Sequence, residues 1–132
     1  MKTHKDGTLP FSSDYIFVFG SNLSGFHGGG AAKKALDSYG AFWGVADGLV
    51  GNSYAIPTKG YAIDYIKLSV ILPYIAKFVR FAKEHKDMKF FLTRIGCGLA
   101  GFRDCDIAPL FRGIGDNCDI PEEWEQYLFL RS

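Results

Sequence analysis

The chain has 132 residues, 48% of them hydrophobic, and a formal net charge of +1, which suits one compact domain and leaves too little chain for a second. Acidic and basic side chains are interspersed, so no broad basic face is available for a nucleic-acid backbone and any anion site must be local. Cys97, Cys105 and Cys118 are odd in number and far apart, which argues against a disulfide framework and for a reducing compartment.

Residues 1–13, with Gly7 and Pro10, read as a polar N-terminal arm ahead of a domain spanning 14–132. "MKTHKDGTLPF" has no apolar signal core and no apolar run approaches the ~20 residues that cross a bilayer, so the expected location is cytoplasmic with no membrane partner. "DYIFVFG" (14–20) predicts a strand, and its near-continuous apolarity predicts cover on both faces. "GGAAKKALDSY" (29–39) predicts a helix stopped by Gly40. "AFWGVADGLVGNS" reads as a loop or short irregular strand, and "SYAIP" as a buried strand ended by Pro57.

The clearest helix is "LSVILPYIAKFVRFAKEH" (68–85), where Ile71, Ile75, Phe78, Val79 and Ala82 recur on one face. Ser69 is its expected N-cap, which would put Pro73 in about the first turn. "KFFLTRI" (89–95) predicts another strand, "DIAPLFRGI" a short helix, and "PEEWEQYLFL" a terminal segment beginning as a solvated helix start. Alternating strands, glycine turns and helices imply an α/β domain with a mostly parallel sheet, whose ligands bind beyond the carboxyl ends of the strands.

Both glycine clusters fall at such ends. Gly25, Gly28, Gly29 and Gly30 lie between a strand and a helix, and Gly96, Gly98 and Gly101 follow "KFFLTRI". Amides at a helix start attract phosphate, and glycine lets a ligand approach the main chain. The Walker pattern fails, because Ala31 and Ala32 follow Gly30, and the dinucleotide fingerprint fails, because Lys33 stands at its third glycine. Two glycine turns can still clamp a diphosphate, with "AIPTKG" as a third polar strand exit; the alternative is that the glycines serve only tight turns and close packing.

The segments "GSNLSGFHGGGAAKKAL" and "IGCGLAGF" resemble the macrodomain superfamily, which binds ADP-ribose between two strand-end loops. With "PTK" they are most similar to the branch of terminal ADP-ribose protein glycohydrolase and the antitoxin that removes ADP-ribose from DNA. The likeness covers roughly residues 14–112 and extends to a set of small phage-associated macro-like proteins. It implies a single macrodomain-like three-layer α/β domain, a mostly parallel mixed sheet between helices. It also implies Asn22 at the distal ribose, Gly28, Gly29 and Gly30 lining the ligand, and Gly96, Cys97, Gly98, Leu99, Ala100, Gly101 and Phe102 around the diphosphate. Thr58 and Lys59 fall in "PTK", where a lysine with a neutral amine can attack ribose C1″ or its opened aldehyde; the same lysine can instead be a cation beside the diphosphate. Some hydrolases of the branch carry an acid directly after "GCGL", where this chain has Ala100, leaving Asp104 or Asp106 as substitutes.

Other side chains admit two readings each. His27 is either a phosphate contact and general base or a loop histidine bonding to main-chain carbonyls. Cys97 is either a nucleophile or a small buried residue, and the cysteine spacing offers no zinc site, so neither metal nor cofactor is expected. Phe102, then Phe26, are the preferred rings to stack on a base, with Phe42 and Trp43 behind them. Asp14 opens its strand, too early for the usual base-reading aspartate, so the base stays open. The expected ligand is ADP-ribose or a related nucleotide, the expected reaction its removal from a nucleic-acid or protein acceptor, and the alternatives are a non-catalytic binding module and a structural protein with no nucleotide ligand. Oligomeric state is not legible.

Overall fold

A computed structural model describes residues 2–128. Its core is a six-stranded sheet in the order β1-β6-β5-β2-β4-β3. The strands are β1 (Thr3–His4), β2 (Tyr15–Asn22), β3 (Gly48–Val50), β4 (Ser53–Lys59), β5 (Lys89–Leu92) and β6 (Cys118–Pro121). All neighbours run parallel except β3, which pairs antiparallel with β4. The four helices are α1 (Gly30–Ser38), α2 (Leu68–Glu84), α3 (Asp104–Ile107) and α4 (Glu125–Leu128).

Residue alternation along β2 separates the two cores, because successive side chains of a strand point to opposite faces. Tyr15, Phe17 and Phe19 pack with Ala55, Phe91 and the small Ala32 and Ala35 of α1. Ile16 and Val18 pack with Tyr54, Ile56, Phe90 and Leu92 against Ile71, Ile75, Phe78, Val79 and Ala82 of α2. The chain is therefore a three-layer α/β domain whose central strand is covered on both faces, as its apolar run predicts.

Several local expectations need correction. The N-terminal arm is partly a strand, since Thr3 and His4 pair with Ile120 and Pro121 at the edge of the sheet. His4 is anchored there by Asp119 at 2.8 Å and stacks on Phe91 with ring centroids 3.8 Å apart. Pro57 does not end β4; the β3 pairing stops at Ala55, so beyond it the proline faces no ladder on that side. The N-cap of α2 is Lys67 rather than Ser69, which places Pro73 inside the helix. The helix expected over 106–114 is instead the short α3 followed by a 3₁₀ turn, Ala108–Phe111, with Pro109 near its start.

The strand β6, whose "CDIP" breaks its apolar residues with Asp119 and Pro121, was not legible, and it is buried along its whole length. The terminal segment is only partly solvated. Glu122 is exposed, but Trp124 is fully buried in the α2-side core. Residues 129 and 130 of that predicted segment lie outside the described residues. No helix among the described residues is long and apolar enough to cross a membrane.

Candidate functional site

The carboxyl ends of β2, β4 and β5 open into one cleft of about 390 Å³. Its walls are the two glycine loops: Gly28, Gly29 and Gly30 on one side, Gly96, Cys97, Gly98, Leu99 and Ala100 on the other. Asn22, Thr58 and Lys59 line it as well, so residues as far apart as Asn22 and Ala100, 78 positions, converge here. Leu99 reaches across to within 3.8 Å of where a Cβ on Gly30 would sit, so the loop tips nearly meet.

The first loop delivers the start of α1 to the cleft. Gly29, the N-cap, is extended (φ −157°), no side chain caps the helix, and its first turn carries no acid. The amides of Gly30, Ala31 and Ala32 make no hydrogen bond among the described residues, leaving the positive end of the helix for a ligand. In the second loop Cys97 donates its amide to Arg94, Gly101 to Gly98 and Phe102 to Gly96, at 2.9–3.0 Å. The amides of Gly96, Gly98, Leu99 and Ala100 have no such partner. Consecutive free amides of this kind form an anion-binding concavity.

Two kinds of glycine occupy these loops. Gly96 has φ +80° and a Cβ there would sit 3.1 Å from Ile107 Cδ1, so the fold itself requires it. Gly29 and Gly98 have no positive φ and nothing within 4 Å of a built Cβ. Turn geometry and packing explain the first kind only. The second kind leaves the main chain open to close approach from the cleft.

Lys59 is aimed by a register shift in the β2–β4 ladder between Ser21 and Asn22, the kind of irregularity that redirects a side chain at a strand end. Half-buried, its ammonium lies 5.3 Å from the ring centroid of Tyr65 and pairs with no carboxylate among the described residues. It is thus an uncompensated cation at the cleft. Thr58 is buried and donates its hydroxyl to the Ser21 carbonyl at 3.4 Å.

The packing corrects the expectations for His27, Phe102 and Gly101 and narrows the one for Asn22. His27 does not reach the cleft: fully buried, it donates from Nε2 to the Val45 carbonyl at 3.1 Å and sits edge-on to Phe19. It holds the loop against residues 43–45, which removes it as a general base. Asn22 lines the cleft, but its amide is spent locally. Oδ1 accepts from Ser24 Oγ and the Phe26 amide, and Nδ2 donates to the Phe26 carbonyl, leaving one Nδ2 hydrogen for a ligand. Phe102 and Gly101 lie outside the lining; Phe102 packs on the α2-side core, while the Gly101 backbone faces Tyr65. The exposed ring at the cleft is Phe26, backed by Trp43 with centroids 4.8 Å apart.

Cys97 follows the plainer of its two readings. Burial pushes its thiol up to about 12, and the Asp104 carboxylate adds to the shift, so at neutral pH it is a thiol and a poor nucleophile. Iodoacetamide at pH 8 is expected to alkylate exposed Cys105 first, with Cys97 and buried Cys118 labelling at least ~10-fold more slowly. Peptide mapping of the time course checks this, and labelling of Cys97 ahead of Cys105 would contradict it.

Asp104 cannot substitute for the missing acid. Burial works against its charged form, but hydrogen bonds from Arg94 and Trp124 outweigh that and hold its carboxyl below the ordinary carboxylate range. It receives Arg94 Nε at 3.0 Å, Arg94 Nη2 at 2.7 Å and Trp124 Nε1 at 2.8 Å. Asp106 bonds to Arg103, and neither aspartate lines the cleft.

The structure adds residues that the sequence reading passed over. Asp6, Thr93, Arg94 and Ile63 all line the cleft. Arg94 could have been suspected as a cation directly ahead of "IGCGL", but Asp6 lay in the segment read as an arm. Ile63 has φ +59°, a strained conformation for a β-branched residue, in the loop that carries Tyr65. Comparison with family models, with curated proteins and with solved structures finds no match for the chain.

Proposed function

We propose that the cleft binds ADP-ribose or a closely related nucleotide diphosphate in a macrodomain-like manner, with the diphosphate between the two glycine loops. The observation that carries this reading is the pair of bare glycines, Gly29 and Gly98, which face open space on opposite walls of one cleft where the local fold needs no glycine. Unpaired amides on both walls supply donors for phosphate oxygens, and the start of α1 adds its dipole. Lys59 stands at the strand end beside Asn22, and to this position we assign the distal ribose. Phe26 offers an exposed ring face, and Asp6 is an acceptor-only carboxylate suited to a base with an exocyclic amine, such as adenine.

Removal of ADP-ribose from a nucleic-acid or protein acceptor is the reaction this site would support, with Lys59 as its reacting group. A non-catalytic binding module is the second reading. It is favoured by Ala100 in the loop and by the engagement of Asp104 with Arg94 and Trp124, which leave the second glycine loop without a free acid among the described residues.

Calorimetric titration with ADP-ribose, with AMP and NAD as controls, tests the reading. Micromolar affinity selective for ADP-ribose is expected. No heat at millimolar ligand would leave the glycine loops without a nucleotide and sink the proposal.

A further inference from the structure

Arg94 ends the β5 side of the cleft with every arm of its guanidinium in use. Its Nε and Nη2 fork onto the two oxygens of Asp104, and Nη1 donates to Asp6 Oδ2 at 3.0 Å. Asp104 is fixed from behind by the indole of fully buried Trp124. Bidentate pairing of a planar guanidinium with a carboxylate sets orientation as well as position. Asp6, by contrast, sits on an exposed loop, and its other oxygen, Oδ1, has no protein partner among the described residues. An exposed acceptor at the rim is thereby tied to the core of the protein through one side chain.

We propose that Arg94 is a positioning residue for base selectivity: anchored by Asp104 and Trp124, it holds Asp6 so that one carboxylate oxygen is presented to the ligand, and the site favours a base that donates from an exocyclic amine. This inference rests on the nucleotide reading of the cleft. An ionised carboxylate only accepts hydrogen bonds, so a base with a carbonyl at that position meets it acceptor to acceptor and loses the interaction. Without Arg94 the loop carboxylate is free to turn into solvent, and the discrimination goes with it. A lysine keeps the charge but cannot fork onto Asp104 and reach Asp6 at the same time.

The test is to titrate the full chain with ADP-ribose and with its hypoxanthine analogue, which replaces the amine by a carbonyl, and to compare the ratio of affinities across variants. The wild type is expected to favour ADP-ribose by about tenfold or more, the scale of one charge-assisted hydrogen bond. Arg94→Lys, and independently Asp104→Asn, which loosens the anchor while retaining its size, are each expected to bring the ratio to within about threefold of one. Asp6→Asn, whose amide can also donate, should reverse the preference. Thermal midpoints measured alongside separate this role from a structural one. If both Arg94→Lys and Asp104→Asn melt earlier yet keep the wild-type ratio, Arg94 only supports the fold and the inference is overturned. A wild type that binds both nucleotides equally also overturns it while leaving the diphosphate reading in place. A wild type that binds neither removes the reading and this inference together.

Discussion

Gly29→Val and Gly98→Val are each expected to lower ADP-ribose affinity by about 10- to 100-fold; the thermal midpoint should stay within about 2 °C of wild type for Gly98→Val and fall by no more than about 5 °C for Gly29→Val, whose N-cap position disfavours valine. Neither position uses the left-handed region, and neither has an atom within 4 Å of a built Cβ, so the folded protein accepts a side chain there. The added methyl groups project into the space that a diphosphate would take, and overpacking a filled site costs ~1–3 kcal/mol. Gly96→Val is the contrasting case. With φ +80° and Ile107 Cδ1 3.1 Å from its Cβ position, it should lose stability along with affinity. Paired titration and melting curves separate the two behaviours. If Gly29→Val and Gly98→Val bind as the wild type does, the bare glycines do not mark a ligand and the proposed cradle is wrong.

Lys59→Ala is expected to abolish release of ADP-ribose from a modified acceptor, by about 10³-fold or more, while changing affinity for free ADP-ribose by less than about tenfold. Among the described residues no carboxylate neutralises Lys59 at the cleft, and it stands where the β2–β4 register slips. With His27 buried and Asp104 tied to Arg94, Lys59 faces the cleft with no carboxylate partner among the described residues. In the proposed site the phosphate contacts come from backbone amides, which the substitution leaves intact. Assays on ADP-ribosylated DNA and on ADP-ribosylated protein, run beside the titration, read both quantities. Equal turnover by Lys59→Ala and wild type would remove the lysine from the chemistry. A wild type that binds ADP-ribose but releases none from either substrate would favour the binding-module reading.

The layer architecture was legible because it follows from short-range pattern. The run over Tyr15–Phe19 declares a strand buried on both faces, and the spacing of Ile71, Ile75, Phe78, Val79 and Ala82 declares a helix with one buried stripe; both elements stand as read. Their signals are long, and burial of one face requires them. The polar, proline-ended β6 and the two-residue β1 carry no such period, unlike the apolar "KFFL" of β5. They exist because the sheet edge offers partners for their main-chain groups, which is a property of the assembled fold.

The same division runs through the site. That two glycine loops stand at strand ends was contained in the order of residues, since strand, glycine and helix alternate and loops at the carboxyl ends of parallel strands gather on one side. The direction of each side chain was not contained there. His27 turns inward because its Nε2–H donates to the Val45 carbonyl and its ring packs nearly perpendicular to Phe19, although it is flanked by cleft-facing residues. Phe102 turns to the α2-side core while Leu99, three residues earlier, stays exposed. Asp6 and Arg94, 88 positions apart, meet only because β1 and β5 flank β6 in one parallel sheet. Local sequence thus determined the strands, the main helix and the glycine turns, because backbone preference and burial period act over a few residues. Which side chains face the cleft was decided only by tertiary packing, where each polar atom takes whichever buried partner the fold brings within reach.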